Sequence, residues 1–283
     1  MSALIAKIVL APAFVIGASL AARRFGPRVG GLVGGLPVVA GPILLVFALE
    51  HGTKFAAQAA AGTLLGMVSL SVFIVIYAHA AVHTPWLASL LAGWAGFAAI
   101  TVLLDGISVS VKVALAVVLV ALTLTLALLP HHMQEPDSRA DPPAWDLPVR
   151  AASALALVLV LTALAGHLGA HLSGLLAPFP VVASVLAVFT HILHGEEDVA
   201  RILRGFVLGL VAYALFSFML AVSLQSLGIT SGFTVAIACA LGTQALMLTL
   251  VWLCYPGSDI EVEQRCPPQT ASEQEALLEA PPG

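Results

Sequence analysis

The chain has 283 residues, 60% of them apolar and 9% charged, with a formal net charge of −4. A mean hydropathy of +1.05 excludes an ordinary soluble domain, whose surface could not absorb so much apolar area, and makes lipid the solvent for most of the chain. The eleven Lys and Arg fall at or near the edges of apolar runs and form no basic patch, so nucleic acid is not an expected partner.

Runs of about 20 apolar residues match the hydrocarbon thickness of a bilayer. Nine are predicted, at 3–21, 30–49, 55–78, 83–104, 107–129, 150–170, 173–193, 203–226 and 231–255. The first lacks a basic leader region and a small-residue cleavage site, which predicts a retained helix rather than a signal peptide. The second opens with GPRVGGLVGGLPVVAG (26–41), and the seventh with GAHLSGLLAPFPVVAS (169–184). These align without a gap, 143 residues apart, and residues 26–66 share 13 identities in 41 positions with 169–209. His51-Gly52 falls on His194-Gly195, Gly62-x-x-x-Gly66 on Gly205-x-x-x-Gly209, and Phe73 on Phe216. A duplication in so apolar a chain points first to a membrane transporter.

The matching helices are five spans apart, an odd offset, so the two copies are expected to cross the membrane in opposite directions. The fold class expected is therefore an all-α polytopic membrane protein of about nine transmembrane helices, with two inverted four-helix repeats plus a connecting helix. Residues 1–104 form the first repeat, 105–129 the connecting helix and 150–255 the second repeat. Residues 130–149, rich in proline and acid, read as a cytoplasmic linker, and 256–283 as a disordered cytoplasmic tail.

With the N-terminus outside and the C-terminus cytoplasmic, Arg23, Arg24, Arg28, Arg139, Arg150, Arg201, Arg204 and Arg265 fall on the inner edges. Only Lys7, Lys54 and Lys112 then fall on the outer ones. That asymmetry follows the positive-inside rule.

The duplicated Gly/Pro core carries the candidate substrate site: Pro37, Gly41 and Pro42 in one copy, Pro178, Pro180 and Ser184 in the other. Proline inside a helix removes a donor and frees a carbonyl, and in lipid such a break must face protein or a water-filled cavity. Two readings stay open. Paired breaks of this kind hold substrate near the midplane of inverted-repeat transporters; alternatively, they are kinks that only let helices pack closely. Gln244, deep in the last span, needs a hydrogen-bond partner from another helix or a substrate.

Glu50, His51, His191 and His194 lie near the ends of the duplicated helices. They are candidates for proton coupling or gating, with helix capping by the following glycine as the alternative for the two terminal histidines. Arg23, Arg24 and Arg28 are candidates for holding a lipid headgroup. His167 and His171 sit four residues apart, but two ligands without a third do not make a metal site. Cys239, Cys254 and Cys266 fit neither a disulfide framework nor a metal site. No nucleotide-binding, metalloprotease, prenyl-transferase or Gly-x-Ser-x-Gly motif is present, so no enzyme activity and no cofactor are expected.

The second copy, LSGLLAPFPVVASVLAVFTHILHGEEDVARILRGFVLG, resembles the small GlpM-like bacterial inner-membrane proteins, and the likeness covers about residues 150–255. It implies a four-helix unit and a bacterial inner membrane, and carries over no functional residue. The first copy is a divergent version, with GLPVVAGP in place of LAPFPVVAS. The inverted duplication is also similar to that of small drug/metabolite exporters, although these place a Glu in the first helix and span 1 has none.

The function expected is secondary transport or export of an amphipathic compound by alternating access, with an anionic substrate and proton coupling both left open. A lipid or isoprenoid-phosphate translocase (a flippase) is the alternative, and a non-transporting membrane scaffold the third reading. The expected partners are membrane lipid, a small amphipathic substrate and a second copy of the chain as a homodimer.

Overall fold

The computed structural model describes residues 2–37, 40–107, 109–130, 146–165 and 174–254. Helix dominates, and there is no strand among the described residues. In lipid this is the expected economy, since a helix satisfies every interior backbone donor and acceptor within its own segment. The helices are α1 (Ser2–Phe25), α2 (Pro27–Gly34), α3 (Ala40–His51), α4 (Thr53–Ala81), α5 (Trp86–Leu104), α6 (Val111–Leu128) and α7 (Asp146–Ala165). They are followed by α8 (Val181–His194) and α9 (Glu196–Cys254). Residues 1–248 belong to one packed unit, and Thr249 begins a second, described only as far as Cys254.

Four glycines of positive φ punctuate the helices: Gly26, Gly52, Gly195 and Gly228. Gly52 and Gly195, 143 residues apart, each turn one helix into the next without a longer loop. At Gly195 the N–H donates to the His191 carbonyl at 3.2 Å and closes the end of α8. At Gly228 (φ 76°, ψ −178°) the backbone leaves the helical region and α9 divides. That glycine falls between the apolar runs 203–226 and 231–255.

Five segments are long and apolar enough to cross a membrane: Ala40–Ala81, Trp86–Leu104, Val111–Leu128, Gly174–His194 and Glu196–Val251. The most apolar windows of Ala40–Ala81 and Gly174–His194 are 72% buried, whereas those of Trp86–Leu104 and Val111–Leu128 are only 22% buried. The core therefore runs along α4 and α8, and α5 and α6 turn outward with Val102, Leu103, Val120, Leu124 and Leu128 exposed. So broad an apolar surface is a lipid-facing surface rather than a water-facing one.

Helix α4 packs against α3, α5 and α6, and α1 against α2, α3, α7 and α8. The expected span 30–49 is divided into α2 and α3, and the helix expected from 203 begins at Glu196; α7 begins at Asp146, inside the stretch read as linker at 130–149. The reason for the last is electrostatic, because Asp146 lies in the first helical turn and binds Arg150 one turn on. The rest of that linker (131–145) and the tail (256–283) lie outside the described residues.

Candidate functional site

Each Gly/Pro motif interrupts a helix, and the backbone accounting differs between the two. Pro37 has no N–H to offer the Val33 carbonyl. The Leu36 N–H takes that carbonyl instead, at 3.1 Å, which leaves the Leu32 carbonyl without its helical donor. A side chain from the far end of the sequence supplies one: Gln244 Nε2 donates to Leu32 O at 2.7 Å. Helical bonding resumes with Gly41 N–H to Pro37 O at 2.8 Å. Val38 and Val39, between them, lie outside the described residues.

At the second motif the chain turns within itself. Ala177 N–H donates to Gly174 O at 3.1 Å, Phe179 N–H to Leu176 O at 2.9 Å and Val181 N–H to Phe179 O at 2.7 Å. Helix α8 then starts with Ser184 N–H to Pro180 O at 2.8 Å, the same bond as Gly41 to Pro37 in the shared register.

The interrupted helices sit in crossings that only glycine permits. A Cβ at Gly31 would meet the carbonyl oxygen of Ile202, and one at Gly174 that of Ala59. Likewise a Cβ at Gly209 would meet the oxygen of Leu32, and one at Gly66 that of Leu175. Both members of each contact shift by 143 between the two cases, so each copy's interrupted helix packs on the other copy's small-residue helix. The register rises together along both partners: Arg28 lies at Gly205, Leu32 at Gly209, and Gly41 3.6 Å from the Phe216 ring by way of its absent Cβ. The two interrupted segments also approach each other, since the space beside Gly34 is filled by Leu186 and Phe206.

The side chains around the two interruptions differ. On α9, residues Gly209, Tyr213 and Phe216 share one face by helical spacing. Gly209 faces Gly35 and Phe216 faces Gly41, and Tyr213 lies between them along that face of α9. The Tyr213 and Ser217 hydroxyls and Gln244 Oε1 are buried and have no hydrogen-bond partner among the described residues. Around the second interruption the surroundings are aromatic. Trp94 Nε1 donates to Ser184 Oγ at 3.0 Å, and the Trp94 and Phe97 rings lie 5.8 and 5.3 Å from the Phe179 ring. Pro178 lies against Gly66.

Of the sequence-predicted substrate residues, Pro37, Gly41 and Pro42 are half-buried, and Pro178, Pro180, Ser184 and Gln244 are buried. The coupling candidates do not form one cluster of contacts. Glu50 is exposed, and His51 is exposed with its ring stacked on Phe55 at 4.6 Å. His194 is half-buried at the end of α8. His191 is half-buried, edge-on to Tyr77 at 6.2 Å, with Nδ1 lacking a partner among the described residues.

The three headgroup candidates separate as well. Arg23 binds Asp146, Arg24 is exposed over the Phe25 ring at 5.9 Å, and the Arg28 backbone packs on Gly205. His167 and His171 lie outside the described residues, among which no three metal-binding side chains gather.

Sequence reasoning passed over Tyr213, Trp94, Phe179, Asp146 and Arg150. Tyr213 carried a readable signal, being one turn beyond Gly209 on the small-residue face. Comparison with protein-family models, with curated proteins and with solved structures finds no match for the chain.

Proposed function

We propose that the chain is a nine-span carrier built from two inverted four-helix repeats joined by α6, which moves an amphipathic compound by alternating access. The observation that carries the reading is the reciprocal crossing at Gly31/Gly209 and Gly66/Gly174. Helix α4 runs back from α3 after the turn at Gly52, opposite to α2. The first part of α9, its counterpart in the second copy, runs alongside α2 in the same direction. Counterparts that point opposite ways are what an inverted duplication requires. In such a carrier the two interrupted helices meet at the centre, and rocking one repeat against the other opens the site to each face in turn.

The buried polar atoms of Tyr213, Ser217 and Gln244 that have no partner among the described residues are uncharged: two hydroxyls and one amide oxygen. They favour a substrate whose polar end both accepts and donates hydrogen bonds without a formal charge. Contacts also draw basic residues to one end. Arg23 and Arg150 meet at Asp146, and Arg204 caps α6 with bonds to Leu129 O at 2.6 Å and Pro130 O at 3.2 Å. By the positive-inside rule this end is cytoplasmic and the N-terminus outside. The resemblance of about residues 150–255 to GlpM-like proteins favours a bacterial inner membrane.

Native mass spectrometry of the gently purified full chain tests the reading. A neutral amphipathic compound that co-purifies with the wild type and is lost from the Tyr213→Phe variant is the expected result. A bound isoprenoid phosphate, indifferent to Tyr213 and lost on Arg28→Ala, would replace the carrier with the lipid translocase. No bound species in any mild detergent would sink both.

A further inference from the structure

We propose that Arg150 and Arg23 hold the phosphate of an anionic membrane lipid where α1, α7 and α8 meet. The proposal does not depend on the chain being a carrier. Asp146 is fully buried, and both its oxygens are taken: Oδ2 by Arg23 Nη2 at 2.6 Å, Oδ1 by Arg150 Nε at 2.8 Å. One carboxylate between two guanidinium groups leaves one positive charge over. The Arg23 side chain is 31% exposed and reaches the surface, whereas that of Arg150 is only 6% exposed.

Arg150 spends only Nε on Asp146, and no hydrogen bond engages its two terminal nitrogens among the described residues. Its guanidinium carbon lies 5.0 Å from the centre of the Phe189 ring. That ring face softens the charge but offers no acceptor. A cation this enclosed, with donors unused among the described residues, calls for an anion. Of the three acids at the start of α9, Glu197 and Asp198 are bound to Arg201.

The geometry selects the anion. A guanidinium fork matches the paired oxygens of a phosphate. The first turn of α7 adds the positive end of a helix dipole to the same place. Arg23 ends α1 and Asp146 begins α7, so the cluster sits at the edge of two apolar segments, the depth at which lipid phosphates lie. The surplus of one positive charge favours a headgroup of net negative charge over a zwitterionic one.

The test is a binding titration of the purified full chain in a neutral maltoside detergent, followed by native mass spectrometry. The probes are dioctanoyl phosphatidylglycerol, dioctanoyl phosphatidylcholine and inorganic phosphate. Phosphatidylglycerol is expected to bind best, and Arg150→Gln to weaken it about tenfold while leaving phosphatidylcholine unchanged. Arg24→Gln, one residue outside the cluster, is expected to change it by less than about twofold. Asp146→Asn removes the competing carboxylate and is expected to tighten binding.

That last sign separates an anion site from a merely structural ion pair, which the same change would only damage. Should Arg150→Gln fail to fold, Arg150→Lys, which keeps the charge and loses the fork, carries the test together with Asp146→Asn. Binding of phosphatidylglycerol that ignores Arg150, or that is lost in Asp146→Asn, overturns the proposal. So does inorganic phosphate binding as tightly as the lipid through Arg150, since the anion would then come from solution.

Discussion

The two interruptions share a scaffold and differ in what fills them. At Gly31–Gly41 the freed carbonyl of Leu32 is answered by Gln244, and the Tyr213 hydroxyl on the facing helix has no partner among the described residues. At Gly174–Ser184 the turn closes on its own backbone, and Trp94, Phe97 and Phe179 surround it, with the indole N–H on Ser184. Position 101, the counterpart of Gln244, is a buried Thr whose hydroxyl has no partner among the described residues. The two segments thus share a crossing geometry while their surroundings differ, one lined by polar side chains and the other by aromatic ones. Close helix approach depends on missing Cβ atoms at a few positions, whereas chemistry depends on the residues around them, which are free to change one copy at a time.

If the crossings are the shared part, they should fail alike. Gly31→Ala and Gly174→Ala each push a Cβ into the main-chain oxygen of the partner helix, where no side chain can swing aside. A loss of about 3 kcal/mol is expected at either position, from overpacking against rigid backbone. Gly41→Ala, whose Cβ would rest 3.6 Å from the Phe216 ring, is expected to cost nothing measurable. Reversible unfolding in mixed detergent micelles measures all three. Tolerance of Gly174→Ala beside failure of Gly31→Ala would mean that the crossings are not equivalent.

The next effect should divide the copies. Gln244→Leu leaves the Leu32 carbonyl buried without a donor, a cost of about 1–3 kcal/mol. Ser184→Ala removes only the acceptor of a half-buried indole N–H, with an expected cost of about 1 kcal/mol. Stabilities in the reverse order would show the second interruption to be the one under polar strain.

The helical class, the apolar runs and the offset of 143 residues were legible because each is a local or periodic property of the chain. The small-residue motifs could be seen, but not what they touch. That Gly31 meets Ile202 and Gly174 meets Ala59 is decided by exchange of partners between copies, which periodicity does not encode. The pairings that give the sites their chemistry span still longer separations: Gln244 with Leu32, Trp94 with Ser184, Arg23 with Asp146. Asp146 was hidden for a further reason. Its acidic, proline-rich neighbourhood has the composition of a linker, and its helix start becomes visible only once Arg150 and Arg23 are seen to bind it.

The smallest stability effect carries the most functional information. The Tyr213 hydroxyl is buried and bonded to nothing among the described residues, so Tyr213→Phe breaks no hydrogen bond and keeps the ring that fills the space. Stability is expected to stay within about 0.5 kcal/mol of the wild type, or to rise, because an unpaired buried hydroxyl is itself a cost. Measured together, unchanged unfolding and lost ligand retention in Tyr213→Phe would assign the hydroxyl to binding. A drop in stability of more than about 1 kcal/mol would instead reveal a structural partner for the hydroxyl, and with it an interruption built to pack rather than to bind.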